Sequence, residues 1–252
     1  MESKIKVLHI FKTYFPDTQG GLEEAIRQIA RYNSNHGIEN RIMTVSPIPI
    51  PRIVRFQEAT VVRYKTLLDV FSTPISLEFF HNFKKNISTS DILHFHFPWP
   101  WGELNFLCSN EKKPSLVTYH SDIVKHKYMD KLYSPFSRLF LKKVDLIIAT
   151  SEQYIESSAI LKPIKEKCRV IPLSIDDKRF KGIDDNIVQT IKNKYGEDFF
   201  LFVGVLRSYK GLCYLLDAMV NINRQLVIVG KGPEENKLKE KAKSLNLNNV
   251  IF

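Results

Sequence analysis

Residues 7–30 read VLHIFKTYFPDTQGGLEEAIRQIA and place a strand, a glycine-containing loop and a helix in direct succession. The first five residues are mostly apolar, as in a strand that is covered on both faces. The last nine carry apolar residues with helical spacing, at Leu22, Ala25, Ile26, Ile29 and Ala30. A strand that leads through a short loop into a helix is the repeating unit of a parallel α/β sheet.

The same alternation continues along the chain. It predicts strands at 40–45, 60–64, 91–95, 115–119, 146–149 and 169–172. It also predicts three helices, from Leu22 to a stop at His36-Gly37, over 75–87 and over 125–143. The last of these is expected to be broken near Pro135. A second series follows, with strands at 199–205, 225–229 and 250–252 and helices at 212–220 and 234–245. We therefore predict a doubly wound parallel sheet in residues 1–178, a connection over 179–198, and an incomplete Rossmann-like domain over 199–252.

Composition excludes several classes of protein. The chain has 252 residues, of which 44% are hydrophobic and 25% charged, so it can bury a core and is not disordered. It has no apolar run long enough to span a bilayer, and its start predicts no signal peptide. Three scattered cysteines fit no metal spacing and indicate a reducing compartment. We expect a cytoplasmic protein.

The charge is strongly basic, with a net charge of +10. Such a balance favours an anionic partner, which leaves nucleic acid, a phosphorylated ligand or a lipid surface open. A nucleic-acid binder is disfavoured, because the sequence shows no helix-turn-helix, zinc or RRM pattern and its basic residues are spread over several elements. The basic helix 125–143 fits an anionic membrane surface and a solvated helix over a core equally well.

Three strand-to-helix loops are candidates for ligand binding. Gly20 and Gly21 precede the first helix, where free N–H groups favour a phosphate or sugar oxygen, although a tight turn explains them as well. In the second domain, Gly204 begins a loop that carries Arg207 and Lys210, cations that suit phosphate oxygens. The third loop contains Gly230 and Gly232. None is Gly-x-Gly-x-x-Gly, which argues against a dehydrogenase.

Histidines follow two of the predicted strands. His120 comes directly after the strand 115–119, at the carboxyl edge where open α/β sheets bind ligands, and Asp122 lies close by. An imidazole beside a carboxylate can accept a proton or orient a sugar hydroxyl, and a surface or capping histidine is the alternative. His94 and His96 share one face of their strand. A metal site there is disfavoured, because the sequence supplies no third ligand nearby and the aromatic neighbours indicate packing.

Taken together and in order, these motifs resemble glycosyltransferase family 4, which is also described as glycosyl transferases group 1. The matching pieces are 16–21 with its helix, VTYHSDI at 117–123, IIATS at 147–151, VIPLSID at 170–176, FVG at 202–204 through Lys210-Gly211, and VGKGP at 229–233. The resemblance covers nearly the whole chain. It implies a GT-B fold of two Rossmann-like domains that face each other across a cleft.

The resemblance also implies an activity and roles for residues. Family members transfer a sugar from a nucleotide-activated donor with retention of anomeric configuration and without an essential metal or other cofactor. By resemblance, Gly20 and Gly21 lie beside the donor diphosphate and acceptor, His120 lies near the transferred sugar, and Arg207 and Lys210 stabilise the departing diphosphate. Two features depart from the family. Val205 stands where an arginine is common, and the Glu-x7-Glu pair of the second domain is absent, since Glu103 and Glu111 have its spacing in the wrong domain.

These observations predict a retaining glycosyltransferase that moves a hexose, with mannose as one candidate, to a saccharide or lipid-linked acceptor in surface-polysaccharide synthesis. We expect it at the inner face of the membrane, with peripheral contact to anionic lipid and none to nucleic acid. Because the sequence ends on a strand, we expect a fragment, a truncated product or half of a split protein. Because the Glu-x7-Glu pair is missing, we expect the 252-residue chain alone to transfer sugar very poorly. The alternative is a non-catalytic remnant, or a subunit that needs a separate C-terminal partner.

Overall fold

The computed structural model describes residues 4–122, 127–175 and 181–252. The chain forms two compact units, residues 1–176 and 177–252, and each is described by itself. No helix in the described ranges combines the length and the apolar composition that crossing a membrane requires.

The first unit is built on an eight-stranded sheet. Its order is β10-β9-β8-β7-β1-β2-β4-β3, and all neighbours pair in parallel except β3 with β4. The strands are β1 (Lys6–Ile10), β2 (Glu39–Ser46), β3 (Ile53–Arg55), β4 (Thr60–Lys65), β7 (Ile92–Phe97), β8 (Ser115–Tyr119), β9 (Leu146–Ala149) and β10 (Cys168–Val170). A separate hairpin is made of β5 (Leu68–Val70) and β6 (Thr73–Ile75).

Helices cover both faces of this sheet, as a doubly wound fold requires. They are α1 (Gly21–Asn35), α2 (Leu77–Ser88), α3 (Pro100–Cys108), α4 (Lys127–Lys143) and α5 (Glu152–Ser157). Ile26 and Ala30 of α1 pack with Ile42 and Val61 on one face. The larger core on the other face joins alternate residues of the strands to the aromatic side chains of α2, α3 and α4, namely Phe79, Phe83, Phe106 and Phe140.

The strand order reverses between β1 and β7. From β1 the chain moves outward through β2 to β4, and from β7 it moves in the opposite direction through β8 and β9 to β10. In open α/β sheets, ligands bind outside the carboxyl ends of the strands at such a switch point. The carboxyl ends of β1 and β7 are therefore the first place to look for a site.

Several elements differ from the sequence prediction. The strand β3 and the hairpin β5–β6 were not predicted, because they are short and lie outside the strand–helix alternation that predicts the equally short β10. The predicted break at Pro135 is wrong, since α4 continues through this residue. Its last turns bury Phe140 and Leu141 completely, and this burial offsets the hydrogen bond that a proline removes.

The β5–β6 hairpin closes through a two-residue turn with unusual residues. Val70 pairs with Thr73, which leaves Phe71 and Ser72 as the turn. Both have positive φ, 52° and 63°, the conformation of a type I′ turn, which strongly favours asparagine and glycine. The Lys12 ammonium donates a hydrogen bond to the Ser72 carbonyl at 3.1 Å, so the turn is tied to the end of β1.

The second unit contains a three-stranded parallel sheet of order β11-β12-β13. Its strands are β11 (Phe200–Val203), β12 (Leu226–Val229) and β13 (Val250–Ile251), and its helices are α6 (Asp185–Tyr195), α7 (Leu212–Met219) and α8 (Glu235–Ser244). Leu212, Leu216, Leu226, Ile228 and Leu238 form its core. The predicted alternation of strands and helices from residue 199 onward is confirmed.

Candidate functional site

The loop between β1 and α1 is held by buried polar contacts. Both Thr13 and Thr18 donate their hydroxyls to the Glu23 carboxylate, at 2.8 and 2.7 Å. Asp17 forms an ion pair of 2.7 Å with Arg63, whose side chain is 2% exposed. Sequence reasoning missed Glu23 and Arg63, because both act on this loop from other elements.

The two predicted glycines of this loop differ in their surroundings. A Cβ on Gly20 would lie 2.7 Å from Glu23 Oε2, whereas a Cβ on Gly21 would meet nothing within 4 Å. Gly20 is the N-cap of α1 and offers no side-chain cap, and Glu23 and Glu24 lie in the first turn. These carboxylates already counter the positive end of the helix dipole. Their presence favours a ligand group that donates a hydrogen bond here, such as a sugar hydroxyl.

A row of histidine rings crosses the sheet at the switch point. His9 on β1 lies opposite His94 on β7, and His96 is two residues further along β7. His9 Nδ1 is 3.2 Å from His96 Nε2, and His96 Nδ1 is 3.2 Å from His120 Nε2. His120 follows β8, which pairs with β7. The predicted residue His120 is therefore the end of a hydrogen-bonded series that begins inside the sheet.

Burial keeps these rings neutral. It lowers the pKa of His9 and of His120 to about 4, and the pKa of His94 and of His96 well below the ordinary value. His120 Nδ1 is buried and has no hydrogen-bond partner among the described residues. A neutral imidazole with an unused nitrogen is able to accept or donate one further hydrogen bond.

The structure supplies the third histidine that sequence analysis did not find. Ligand atoms of His9, His94 and His96 lie within 4.8 Å of one another, so the statement that no third ligand is near is wrong. A long-range strand pairing brings His9 there, and sequence spacing does not show such a pairing. Both nitrogens of His9 and both of His96 already form hydrogen bonds, and His94 Nε2 lies 2.8 Å from the Thr118 hydroxyl. A metal ion would have to displace these bonds.

Asp122 does not pair with His120 as the sequence suggested. Its Oδ1 accepts hydrogen bonds from the Tyr119 hydroxyl at 2.5 Å and the Ser158 hydroxyl at 3.0 Å. Its backbone N–H donates to the Tyr154 hydroxyl at 2.6 Å. The carboxylate thus fixes the chain that follows β8, and the ring partner of His120 is His96 instead. The adjoining residue Ile123 lies outside the described residues.

Glu103 is a buried acid of this unit. It lies in the first turn of α3. Its carboxylate accepts hydrogen bonds from the Trp99 backbone N–H at 2.9 Å and from the Tyr133 hydroxyl. Burial raises its pKa to about 7. These contacts indicate a structural carboxyl group.

The basic helix divides its apolar residues between core and surface. Phe140 is fully buried, whereas Phe136 and Leu139 are 50% and 57% exposed. The Lys143 ammonium donates to the Phe106 carbonyl at 2.7 Å. The packing interpretation therefore holds for Phe140, and membrane contact of the exposed side chains stays a prediction. Lys125 lies outside the described residues.

In the second unit, the two glycine-containing loops pack on each other. Leu206 is fully buried, its N–H donates to the Lys231 carbonyl at 3.0 Å, and its carbonyl accepts from the Glu234 N–H at 3.1 Å. Arg207 and Lys210 follow on an exposed turn, and neither forms a salt bridge within the described ranges. The loop therefore presents two cations that have no carboxylate partner among the described residues, and the Lys210 ammonium lies 5.4 Å from the centroid of the Tyr209 ring.

The glycines of these loops have a packing reason. A Cβ on Gly230 would lie 1.9 Å from the carbonyl oxygen of Gly204, and one on Gly232 would lie 2.4 Å from that of Leu206. The backbone that approaches these glycines closely is that of the neighbouring loop. Their contact with a ligand stays a prediction.

Comparison with known proteins adds to this picture. Residues 19–179 match the model of Glycosyltransferase Family 4, and residues 184–252 match that of Glycosyl transferases group 1. The D-rhamnosyltransferase WbpZ of Pseudomonas aeruginosa is 40% identical over 248 residues, which cover 98% of this chain and 65% of that protein. The O-antigen chain mannosyltransferase C of Escherichia coli is 39% identical over 248 residues, covering 98% and 67%. The chain thus spans about two thirds of the length of these relatives.

Solved structures share the fold. A sucrose-phosphate synthase from Thermosynechococcus elongatus superposes with a TM-score of 0.77 at 19% identity, covering 99% of this chain and 70% of that one. Anabaena Alr3699/HepE, in complex with UDP and glucose, gives a TM-score of 0.72 at 15% identity, covering 98% and 68%. The predicted α/β fold of GT-B type is confirmed. The chain belongs to the glycosyltransferases in which a Glycosyltransferase Family 4 part is followed by a Glycosyl transferases group 1 part.

Proposed function

We propose that the protein acts in the transfer of a hexose from a nucleotide-sugar donor to a saccharide or lipid-linked acceptor, with retention of configuration. The single observation that carries this proposal is the ring nitrogen of His120 that has no partner among the described residues, at the carboxyl end of β8 beside the switch point. The rhamnosyl- and O-antigen mannosyltransferase names of the two relatives support a deoxyhexose or hexose and O-antigen synthesis.

His120 suits a sugar better than it suits a phosphate. Because its pKa is lowered to about 4, the ring is neutral at pH 7 and adds no positive charge for an anion. A neutral ring nitrogen forms one directional hydrogen bond, which a sugar hydroxyl satisfies. The carboxylates of Glu23 and Glu24 near the Gly20-Gly21 loop also favour a sugar hydroxyl over a phosphate, because they are negatively charged.

In the second unit, Arg207 and Lys210 stabilise the diphosphate that leaves from the donor. Negative charge develops on the leaving diphosphate in the transition state, and fixed cations lower its free energy there. The buried Leu206 holds the backbone from which both side chains extend. We expect no metal or other cofactor to be essential, because these two cations offset the developing charge. The UDP and UDP-glucose bound in Alr3699/HepE support a nucleotide-sugar donor.

We further propose a lipid-linked acceptor and peripheral contact with the cytoplasmic face of the membrane. The net charge of +10 favours an anionic surface. In the described part of α4, Phe136 and Leu139 are exposed beside basic residues. Such a mixture of basic and apolar side chains is typical of a helix that lies on a membrane.

The test is transfer of labelled sugar by the purified protein. We would supply GDP- and UDP-activated mannose, rhamnose and glucose with a lipid-linked saccharide acceptor in detergent, and follow label in the lipid fraction. Because the chain lacks the Glu-x7-Glu pair, we expect slow transfer from one of these donors, and NMR of the product should show the anomeric configuration of the donor. Inversion, or no transfer from any donor, would contradict the proposal.

A further inference from the structure

Asn40 sets the direction of the hydrogen bonds between the histidine rings. Its Nδ2 lies 2.9 Å from the Ala30 carbonyl oxygen and 3.3 Å from that of Glu58. Carbonyl oxygens only accept hydrogen bonds, so the NH₂ group must face them. The side-chain oxygen of Asn40 therefore faces His9 Nε2, at 3.1 Å.

The direction of each following bond is then fixed. His9 must donate from Nε2 to Asn40, which leaves Nδ1 of a neutral His9 as an acceptor. Nε2 of His96 must donate to that nitrogen, so Nδ1 of His96 is an acceptor. Nε2 of His120 must in turn donate to His96 Nδ1. The proton of His120 is thus on Nε2, and its lone pair is on Nδ1.

The direction of these hydrogen bonds is fixed only while each histidine ring carries a single proton and is neutral. The titratable groups that face them are the other histidines; the centroid of the His94 ring lies 4.9 Å from that of His9, with the rings tilted, and 4.4 Å from that of His96, with the rings stacked. Glu103 lines a small cavity together with His96. Burial is the largest cause of the lowered pKa of each ring, and mutual repulsion of the charged forms adds to it for His94 and His96. An imidazolium is therefore disfavoured at neutral pH.

We propose that Asn40, His9 and His96 are positioning residues that hold His120 as its Nε2–H tautomer, with the lone pair on Nδ1, which has no partner among the described residues. Asn40 and His9 lie on β2 and β1, and His96 on β7, so three strands set the proton position of a group beyond the sheet edge. That a sugar hydroxyl is the donor rests on the proposed function. The tautomer itself does not.

The experiment is NMR of the full 252-residue chain labelled with ¹⁵N-histidine, without ligand, at pH 7. Long-range proton–nitrogen correlation shows which nitrogen of each ring carries the proton. Scalar coupling across N–H···N hydrogen bonds shows which rings are joined. We expect couplings between His9 Nδ1 and His96 Nε2 and between His96 Nδ1 and His120 Nε2, with the proton on Nε2 in all three rings. The variant His120→Gln assigns the last ring.

Two matched variants separate positioning from packing. His96→Phe removes the middle of the series and keeps a ring; we expect loss of both couplings, and the Nδ1–H form of His120 becomes detectable. His94→Phe makes the same change two residues away on the same strand, and its partner is Thr118 rather than another member of the series. We expect both couplings and the tautomer of His120 to be unchanged in it.

Three results would overturn the proposal. They are a proton on His120 Nδ1 in the wild-type chain, absent couplings in that chain, and a His120 tautomer that is the same in folded His96→Phe as in wild type. If His96→Phe does not fold, the wild-type spectra decide alone. Correct spectra from a protein that transfers no sugar would contradict the proposed function and leave the positioning role standing.

Discussion

Single residues at the sheet edge owe their chemistry to distant parts of the chain. His120 was predicted from its place after β8, and this placement is what the structure shows. Its partner His96, and His9 behind it, depend on the register of β1 against β7. Register is a long-range property, so local spacing led instead to Asp122, which the structure joins to Tyr119 and Ser158.

Replacement of His120 by alanine should lower turnover more than stability. Loss of one hydrogen bond to the sugar predicts a fall in kcat/KM of about 10–100-fold, and the orphaned His96 nitrogen predicts a loss of about 1 kcal/mol in the free energy of unfolding. Transfer assays and urea unfolding check both, with exposed His81→Ala as the control. If the variant unfolds, His120 has a packing role, and unchanged turnover would remove it from the site.

Replacement of Lys210 by alanine should weaken donor binding. The exposed ammonium contributes an ionic hydrogen bond, so we expect Kd for the nucleotide sugar to rise by about tenfold, and less at high salt. Titration calorimetry at two ionic strengths measures this, and Lys237→Ala on α8, 70% exposed, is the control of equal charge. Equal affinities in the two variants would exclude Lys210 from binding.

At the scale of elements, the strands that alternate with helices follow directly from the sequence, including the short β10 and β13, and the strands outside this alternation do not. The strands 115–119 and 146–149 have the predicted bounds, because both are short runs rich in apolar and β-branched residues. The hairpin β5–β6 carries no such signal. Its turn residues, Phe71 and Ser72, also contradict the usual turn chemistry, so only the structure reveals the type I′ geometry.

Glycine at position 72 should stabilise the hairpin. Ser72 has φ of 63°, a conformation that costs a residue with a side chain about 1 kcal/mol. Ser72→Gly keeps the carbonyl that accepts from Lys12, so we expect about 1 kcal/mol of added stability in urea unfolding. Gly37→Ala, at φ of 79° with open space around it, should cost a similar amount. A destabilised Ser72→Gly variant would contradict this account.

The two loops of the second unit should not tolerate a side chain at Gly230. The added Cβ would collide with the Gly204 carbonyl oxygen, so Gly230→Ala should cost at least about 3 kcal/mol. Gly21→Ala, which meets nothing within 4 Å, should change stability by less than about 0.5 kcal/mol. Circular dichroism during urea unfolding compares the two. Equal stabilities would show that the loops separate easily.

For the whole molecule, the buried histidines predict how stability depends on pH. The unfolded chain takes up protons near the ordinary histidine pKa of 6.5, whereas folded His9 and His120 do so only near pH 4. The unfolded state therefore binds more protons between these values, and stability should rise by several kcal/mol from pH 4 to 6.5. Glu103, with its pKa raised to about 7, opposes this rise, because its folded form holds a proton that the unfolded form has lost.

Unfolding midpoints in urea at pH 4.5 and pH 7 measure the balance. We expect greater stability at pH 7 in the wild-type chain, and a larger difference between the two pH values in Glu103→Gln, which lacks the opposing group. A smaller difference in the variant would show that Glu103 is ionised in the folded state at both pH values.

In the first unit, His120 and the segment 12–21 are held by separate sets of contacts. Hydrogen bonds that cross β2, β1 and β7 determine the state of His120, whereas the segment 12–21 is anchored by its own contacts to Glu23 and Arg63. A designer who exchanged 12–21 for another segment would therefore leave the imidazole series untouched. Such loop grafting is a direct test of the proposed contact between this loop and the acceptor, with the histidine hydrogen bonds held constant.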